Sequence, residues 1–286
     1  MLWQGRRESS NVEDRRGMSG RGMAVGGGIG TMVIAFIVYL LGGNPNQVLN
    51  TGTEQAPTEQ SAPANDQTSK FVRTIMADTE DIWGQIFSNM GRDYVEPRLV
   101  LFSGTTESAC GYASQATGPF YCPGDSKVYL DASFFEELQN RFGAEGGDFA
   151  DAYVIAHEVG HHVQHLLGIT DKVDAQRGRI SETEQNALSV RLELQADFLA
   201  GVWAHYEAQQ KAATDPTKRV IQEGDIEDAL SAASAIGDDR LQKQSQGYVV
   251  PDAFTHGTSA QRVRWFKKGF QTGDINQGDT FNATDL

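Results

Sequence analysis

His157-Glu158-Val159-Gly160-His161 sets two histidines four residues apart, with a glutamate directly after the first. On a helix that spacing is about one turn, so both imidazoles share a face and can converge on one metal ion. Glu158 sits one position round the cylinder, within reach of a water held by the metal without being a ligand itself. Such a division of labour belongs to a zinc hydrolase. Phe149, Tyr153, Ala156, Val163 and Leu167 supply an apolar face for a helix expected from about Asp148 to Leu167 and ended by Gly168. Gly160 costs that helix roughly 1 kcal/mol relative to alanine. A close approach of another backbone, or of a third ligand, would explain it; tolerance of a poor helix former is the plain alternative.

Catalytic zinc takes three protein ligands and keeps a fourth position open. No third histidine follows at the short spacing of the HExxHxxGxxH form; His162 points about a third of a turn from His161 and His165 lies one turn further along, so neither is well placed for the same ion. A second long helical pattern, Ser181 to Tyr206, contains Glu193-Leu194-Gln195-Ala196-Asp197. Glu193 and Asp197 again lie four apart, among Leu192, Leu194, Phe198, Leu199 and Val202, where unpaired burial would be costly. Ligation by Glu193, with Asp197 hydrogen-bonded to a ligand histidine, satisfies both. The bland reading is one turn of solvated helix, paired with Arg191.

His157 to Gln164 and Glu193 to Asp197, preceded by Phe120-Tyr121-Cys122-Pro123 and Val128-Tyr129-Leu130-Asp131, together resemble the bacterial neutral zinc metallopeptidases, the YpfJ-like proteins. The likeness covers roughly Lys70 to Gly273 and the amino terminus. Its ExxxD element is similar to the second motif of gluzincins such as thermolysin and the prenyl-protein peptidases. That resemblance implies a zinc ion (Zn2+) held by His157, His161 and Glu193, with Asp197 orienting the first histidine. Phe254 to Arg262 places His256 just before a helix opened by a capping box from Thr258 to Gln261. Prenyl-protein peptidases are similar in carrying a histidine followed six residues later by an arginine. His256 is therefore the expected donor to the oxyanion and Arg262 its support; a structural loop histidine is the alternative.

The amino-terminal quarter reads as lying outside the globular fold. Residues 1–23 are polar, with Arg6, Arg7, Arg15, Arg16 and Arg21, and lack periodicity. Residues 24–41 carry no charge and are just long enough to cross a bilayer. A cleaved signal peptide would need a small-x-small site, which Leu41-Gly42-Gly43 matches poorly, so an uncleaved signal anchor is expected. The arginines before the span place the amino terminus in the cytoplasm of a bacterial cell and everything after it outside the inner membrane. Gly22, Gly26 and Gly30 form overlapping GxxxG spacings that would permit a weak homodimer. Residues 42–69, rich in Pro, Thr, Gln and Asn, read as a flexible linker.

The remaining domain, residues 70–286, is expected to be α+β, mainly helical and zincin-like, with a small sheet. Phe71, Ile75, Ile82, Ile86 and Phe87 mark a helix from about Lys70 to Met90; Pro97 to Phe102 and Lys127 to Asp131 read as strands. Tyr129 lies on the best candidate for an edge strand along which a substrate would bind, although any core strand would read alike. Cys110 and Cys122, outside the cytoplasm, most simply form a disulfide, stabilising by about 3 kcal/mol on the chain-entropy model. A metal or redox pair would show CxxC spacing. The formal charge of -14 argues against a nucleic-acid partner.

The expected function is a membrane-anchored zinc endopeptidase acting on peptide or protein substrates. Glu158 takes a proton from the attacking water and delivers it to the leaving amine. A membrane-tethered scaffold with a structural metal site is the competing reading, but such a site is normally closed by a fourth protein ligand.

Overall fold

The computed structural model describes residues 1–17 and 66–286 of the chain. In chain order its elements are β1 (Val12–Asp14), α1 (Gln67–Asn89), β2 (Arg98–Phe102), β3 (Thr105–Ser108), β4 (Gly111–Ser114), β5 (Phe120–Cys122) and β6 (Lys127–Asp131). Helices follow as α2 (Phe134–Asn140), α3 (Asp148–Leu166), α4 (Ile169–Asp174), α5 (Glu182–Glu207), α6 (Asp225–Ala235), α7 (Asp238–Gln246) and α8 (Ser259–Thr272). The result is a mixed α+β fold with small sheets. Local chemistry explains its boundaries. Asp66 caps α1 by accepting from the Ser69 amide, and Ser181 with Glu184 forms a capping box on α5. Thr258 with Gln261 does the same on α8. Gly168 closes α3 at φ 71°, a left-handed conformation suited to glycine.

The main sheet runs β1-β2-β6-β5, with β1, β2 and β6 parallel and β5 antiparallel to β6. Side chains alternate between its faces. Leu99, Leu101, Val128 and Leu130 pack into the helical core. Val100, Phe102 and Tyr129 point the other way, into a second cluster with Ala113 and Cys122. The β3–β4 hairpin contributes Ala113 to that cluster. A disulfide between Cys110 and Cys122 pins the hairpin's tip to β5.

The amino terminus differs most from expectation. Met1–Asp14 and Asn65–Leu286 belong to one compact unit. Val12, Glu13 and Asp14 pair with Leu99, Val100 and Leu101. Trp3 is buried, packs edge-on against Phe71 and donates its indole N–H to Asp148 at 2.8 Å. Arg6 pairs with Asp78 at 2.8 Å and with Glu207, both buried. Arg7 reaches Glu80 and Asp81. Two of the arginines expected to lie on a cytoplasmic tail, Arg6 and Arg7, instead pair with carboxylates of the domain.

That docking has a topological consequence. Strands of one sheet occupy one compartment, so Met1–Asp14 and the domain lie on the same side of any membrane. A single crossing, with the amino terminus inside and the domain outside, is incompatible with that pairing. The expected span at 24–41, its glycine spacing for a homodimer and the linker lie outside the described residues, apart from the linker's last four positions, which open α1. Among the described residues no helix is long and apolar enough to cross a membrane.

Candidate metal centre

Two helices build the site by crossing closely. A methyl group on Gly160 of α3 would lie 3.0 Å from the Ala196 carbonyl oxygen and 3.2 Å from its Cα on α5. On the far side of α5 the approach to α8 is closer still, with Gly201 against the Phe266 carbonyl and Gly269 against that of Phe198. These crossings bring the acidic face of α5 against the histidine face of α3. His157 Nε2 lies 3.2 Å from Glu193 Oε2, and His161 Nε2 lies 3.4 Å from Glu193 Oε1. One ligand atom from each of the three residues falls within 4.8 Å of the others.

Hydrogen bonding on the far side of each ring sets its tautomer. His157 Nδ1 faces Asp197 Oδ1 at 2.9 Å. Asp197, fully buried, also accepts from Tyr153 Oη at 2.5 Å and from Arg262 Nε and Nη2 at 2.8 and 3.0 Å. On His161, Nδ1 faces Gln164 Oε1 at 2.9 Å. Both Nδ1 atoms meet acceptors and must donate, so each neutral ring turns the lone pair of Nε2 towards the Glu193 carboxylate, itself an acceptor. Lone pairs gathered in this way call for a proton or a metal ion between them. Two imidazoles and one carboxylate are the donor set that suits zinc.

Electrostatics agree with this. Burial alone would lower the His157 imidazole, but Asp197 and then the hydrogen bond to Glu193 outweigh it and lift it to about 10. His161 is raised against the same burial, mainly by Glu193. The Glu193 carboxyl, which burial would raise, is held well below its usual range by His161 and His157. Without metal, the cluster holds a proton where a metal ion would go.

A cavity of about 390 Å³ opens over the cluster and is lined by Glu158, His256 and Arg262 as well as the three candidate ligands. Asp238, the first residue of α7, accepts from the backbone N–H groups of Thr255, His256 and Gly257 at 2.7, 2.6 and 3.0 Å. Its other oxygen lies 3.2 Å from His256 Nδ1, so Asp238 fixes both loop and ring. Burial would lower His256; the Asp238 hydrogen bond and the Glu193 charge raise it. Arg262 is buried, and its hydrogen bonds go to Asp197, Tyr153 and the Ile236 carbonyl, with Nη2 3.5 Å from His157 Nδ1. It stands behind the first histidine.

The two remaining histidines of α3 serve the sheet. His162 Nε2 donates to the Val95 carbonyl at 2.6 Å, which leaves Nδ1 to accept from Tyr121 Oη at 3.0 Å. Tyr121 Oη in turn accepts from His165 Nδ1 at 2.8 Å. Burial holds His162 neutral, lowering it to about 4 against the opposing Val95 contact. Tyr121 is the middle residue of β5, the last strand of the sheet. The edge strand is therefore β5; Tyr129 lies on the interior strand β6, opposite Phe120 and facing away from the metal helix. The apolar character of Val128 to Leu130 reflects burial on both faces, which sequence cannot distinguish from an edge.

Sequence reasoning missed Asp238, Tyr153, Tyr121 and Gln164. Tyr153 precedes His157 by four residues and Gln164 follows His161 by three, so helical spacing alone placed both beside ligands. Asp238 lies in another element and left no local signal, while Tyr121 stands in the Phe120–Pro123 segment, which marks the resemblance but not the contact with His162 and His165.

The sequence matches the family model described as "Putative neutral zinc metallopeptidase" over residues 1–281. It is 50% identical to the uncharacterized protein YpfJ of Escherichia coli K12 over 296 aligned residues, 99% of this chain and 100% of YpfJ. The uncharacterized protein Mb2605 of Mycobacterium bovis is 42% identical over 262 residues, 86% of each chain. No solved structure matches significantly. By its sequence over nearly its whole length, the chain belongs to the putative neutral zinc metallopeptidase family.

Proposed function

We propose that the chain is a zinc endopeptidase that binds its substrate as an extended segment along β5. One observation carries this reading. Three ligand atoms, two of them on histidines held from behind by Asp197 and Gln164, gather under a cavity that also contains Glu158 and borders the edge strand. His157, His161 and Glu193 would hold the zinc, and Asp197 orients His157. When bound there, zinc polarises a carbonyl and acidifies a water.

The protein groups divide the remaining work. Glu158 accepts a proton from the water as its oxygen attacks the scissile carbonyl carbon; when the C–N bond breaks, it passes that proton to the leaving nitrogen. His256, aimed by Asp238, donates a hydrogen bond to the oxygen on which negative charge develops. Arg262 positions His157 through Asp197. Tyr121 ties β5 to α3, which fixes the height of a bound peptide above the metal. Among the described residues the metal-binding group stops at three, which favours a catalytic site over the closed structural site of a scaffold. The Cys110–Cys122 disulfide supports an oxidising compartment outside the cytoplasm.

The test is cleavage of a peptide library by the full chain, with and without a chelator. Zinc-dependent cleavage by the native protein and none by a zinc-loaded Glu158→Gln variant is the expected result. A zinc-loaded native protein that cleaves nothing would return the scaffold reading.

A further inference from the structure

His161 is held through a buried pair of amides that reaches the carboxy-terminal tail. Gln164 is fully buried, and its Nε2 donates to the Leu192 carbonyl at 2.7 Å and to Gln195 Oε1 at 3.1 Å. Gln195, also buried, donates from its own Nε2 to the Gly278 carbonyl at 2.8 Å. Each orientation is forced. A peptide carbonyl cannot donate, so the Gly278 oxygen fixes the Gln195 amide, and the Leu192 oxygen fixes the Gln164 amide. Gln164 Oε1 is then the only atom left to face His161, and it can only accept. Two peptide carbonyls, one on α5 and one on the tail, dictate which nitrogen of His161 carries hydrogen.

The tail's own position is set from α5. Arg191 Nη1 gathers the carbonyls of Thr280, Phe281 and Ala283, while Thr280 Oγ1 donates to the Arg191 carbonyl at 2.6 Å. Arg191 and Gln195 lie four apart, one turn along the same helix. The tail is thus clasped at two points, and the second is the end of the amide pair.

We propose that Gln164 and Gln195 form a positioning relay that keeps His161 in its metal-binding tautomer and couples zinc affinity to the docking of residues 278–283. His157 is held by a charged carboxylate, whereas His161 depends on neutral amides: Gln164, set by the Leu192 carbonyl and by Gln195, and Gln195, set by the tail. The relay rests on His161 being a zinc ligand, but on no statement about peptide cleavage. Support of this kind for a ligating histidine is worth roughly 10- to 100-fold in metal affinity.

The test measures the zinc dissociation constant of the full chain by competition with a chromophoric chelator, beside the melting temperature of the metal-free protein. Gln164→Leu should weaken zinc binding about 10- to 100-fold. Gln164→Glu keeps an acceptor opposite Nδ1 but loses the donor to the Leu192 carbonyl, so its affinity should lie between those of the native protein and of Gln164→Leu. Gln195→Leu and Arg191→Ala should weaken it by smaller factors, and cobalt-substituted Gln164→Leu should show an altered visible spectrum. Native affinity in a folded Gln164→Leu protein overturns the relay. Native affinity in both Gln195→Leu and Arg191→Ala overturns the coupling to the tail. A His161→Ala variant separates the two readings. If it binds zinc as the native protein does, the ligand assignment fails first; if it loses zinc while Gln164→Leu does not, the relay alone is wrong.

Discussion

Gly160 on α3 faces the Ala196 carbonyl oxygen on α5 across a gap that a methyl group would narrow to 3.0 Å. Gly160→Ala sets a gain in helix propensity of about 1 kcal/mol against overpacking of about 1 to 3 kcal/mol. The second effect should prevail: separated helices pull Glu193 away from both histidines. Denaturant unfolding should show a net loss of about 1 kcal/mol, and zinc affinity should fall with it. A variant that gains stability and keeps its zinc would mean that the crossing has slack.

Asp197 and Arg262 are a buried ion pair that also supports His157, and the two roles can be separated. Asp197→Asn leaves a guanidinium buried without its counter-charge, a loss of about 3 to 5 kcal/mol. Replacing both partners, Asp197→Leu with Arg262→Met, should recover most of that stability. Zinc binding should stay about 10- to 100-fold weaker, because His157 has lost its acceptor. Full recovery of both properties would remove Asp197 from the metal site.

Tyr121 Oη lies between His162 and His165 and fastens the edge strand to the metal helix. Tyr121→Phe deletes that oxygen and strands one buried acceptor, at about 1 to 3 kcal/mol. Zinc content should not change. For any peptide the native protein cleaves, KM should rise several-fold and kcat should change less; a variant that instead loses zinc would show that these histidines serve the metal.

Protons and zinc compete for the same lone pairs. With its imidazole lifted to about 10 in the metal-free protein, His157 is protonated at neutral pH, so zinc binding should release roughly one proton from it. Apparent zinc affinity should therefore climb as pH rises from 6 to 9. Metal-free stability runs the other way. The raised His157 contributes stability that is whole below its ordinary 6.5 and is lost as pH climbs through about 10. Calorimetry in buffers of different ionisation enthalpy measures the first effect, and urea midpoints of the metal-free protein across that range measure the second.

Much of the centre was legible because helices write their geometry into spacing. His157 with His161 and Glu193 with Asp197 each announce a shared face, and the cost of burying carboxylates unpaired links the two helices before any coordinates are known. The crossing that joins them was only hinted at, by Gly160. The amino terminus was misread for a physical reason. Arg6 and Arg7 look like solvated charge because their partners, Asp78, Glu80 and Glu207, are distant in sequence and buried on helices that themselves look ordinary. Tyr129 reads as an edge residue in sequence because a strand buried on both faces shows no alternation. Pairing across long stretches of chain leaves no period to read.

The docked amino-terminal strand also bears on how the protein is made. β1 leaves the ribosome before any strand it pairs with, and it must wait until β2 has been synthesised. Asp78 on α1 and Glu207 on α5 are buried beside Arg6, so until the amino-terminal segment docks those helices cannot pack fully without burying carboxylates that lack their counter-charge. A chain whose first residues were held back in one compartment while the rest was exported would leave buried Asp78 and Glu207 without Arg6.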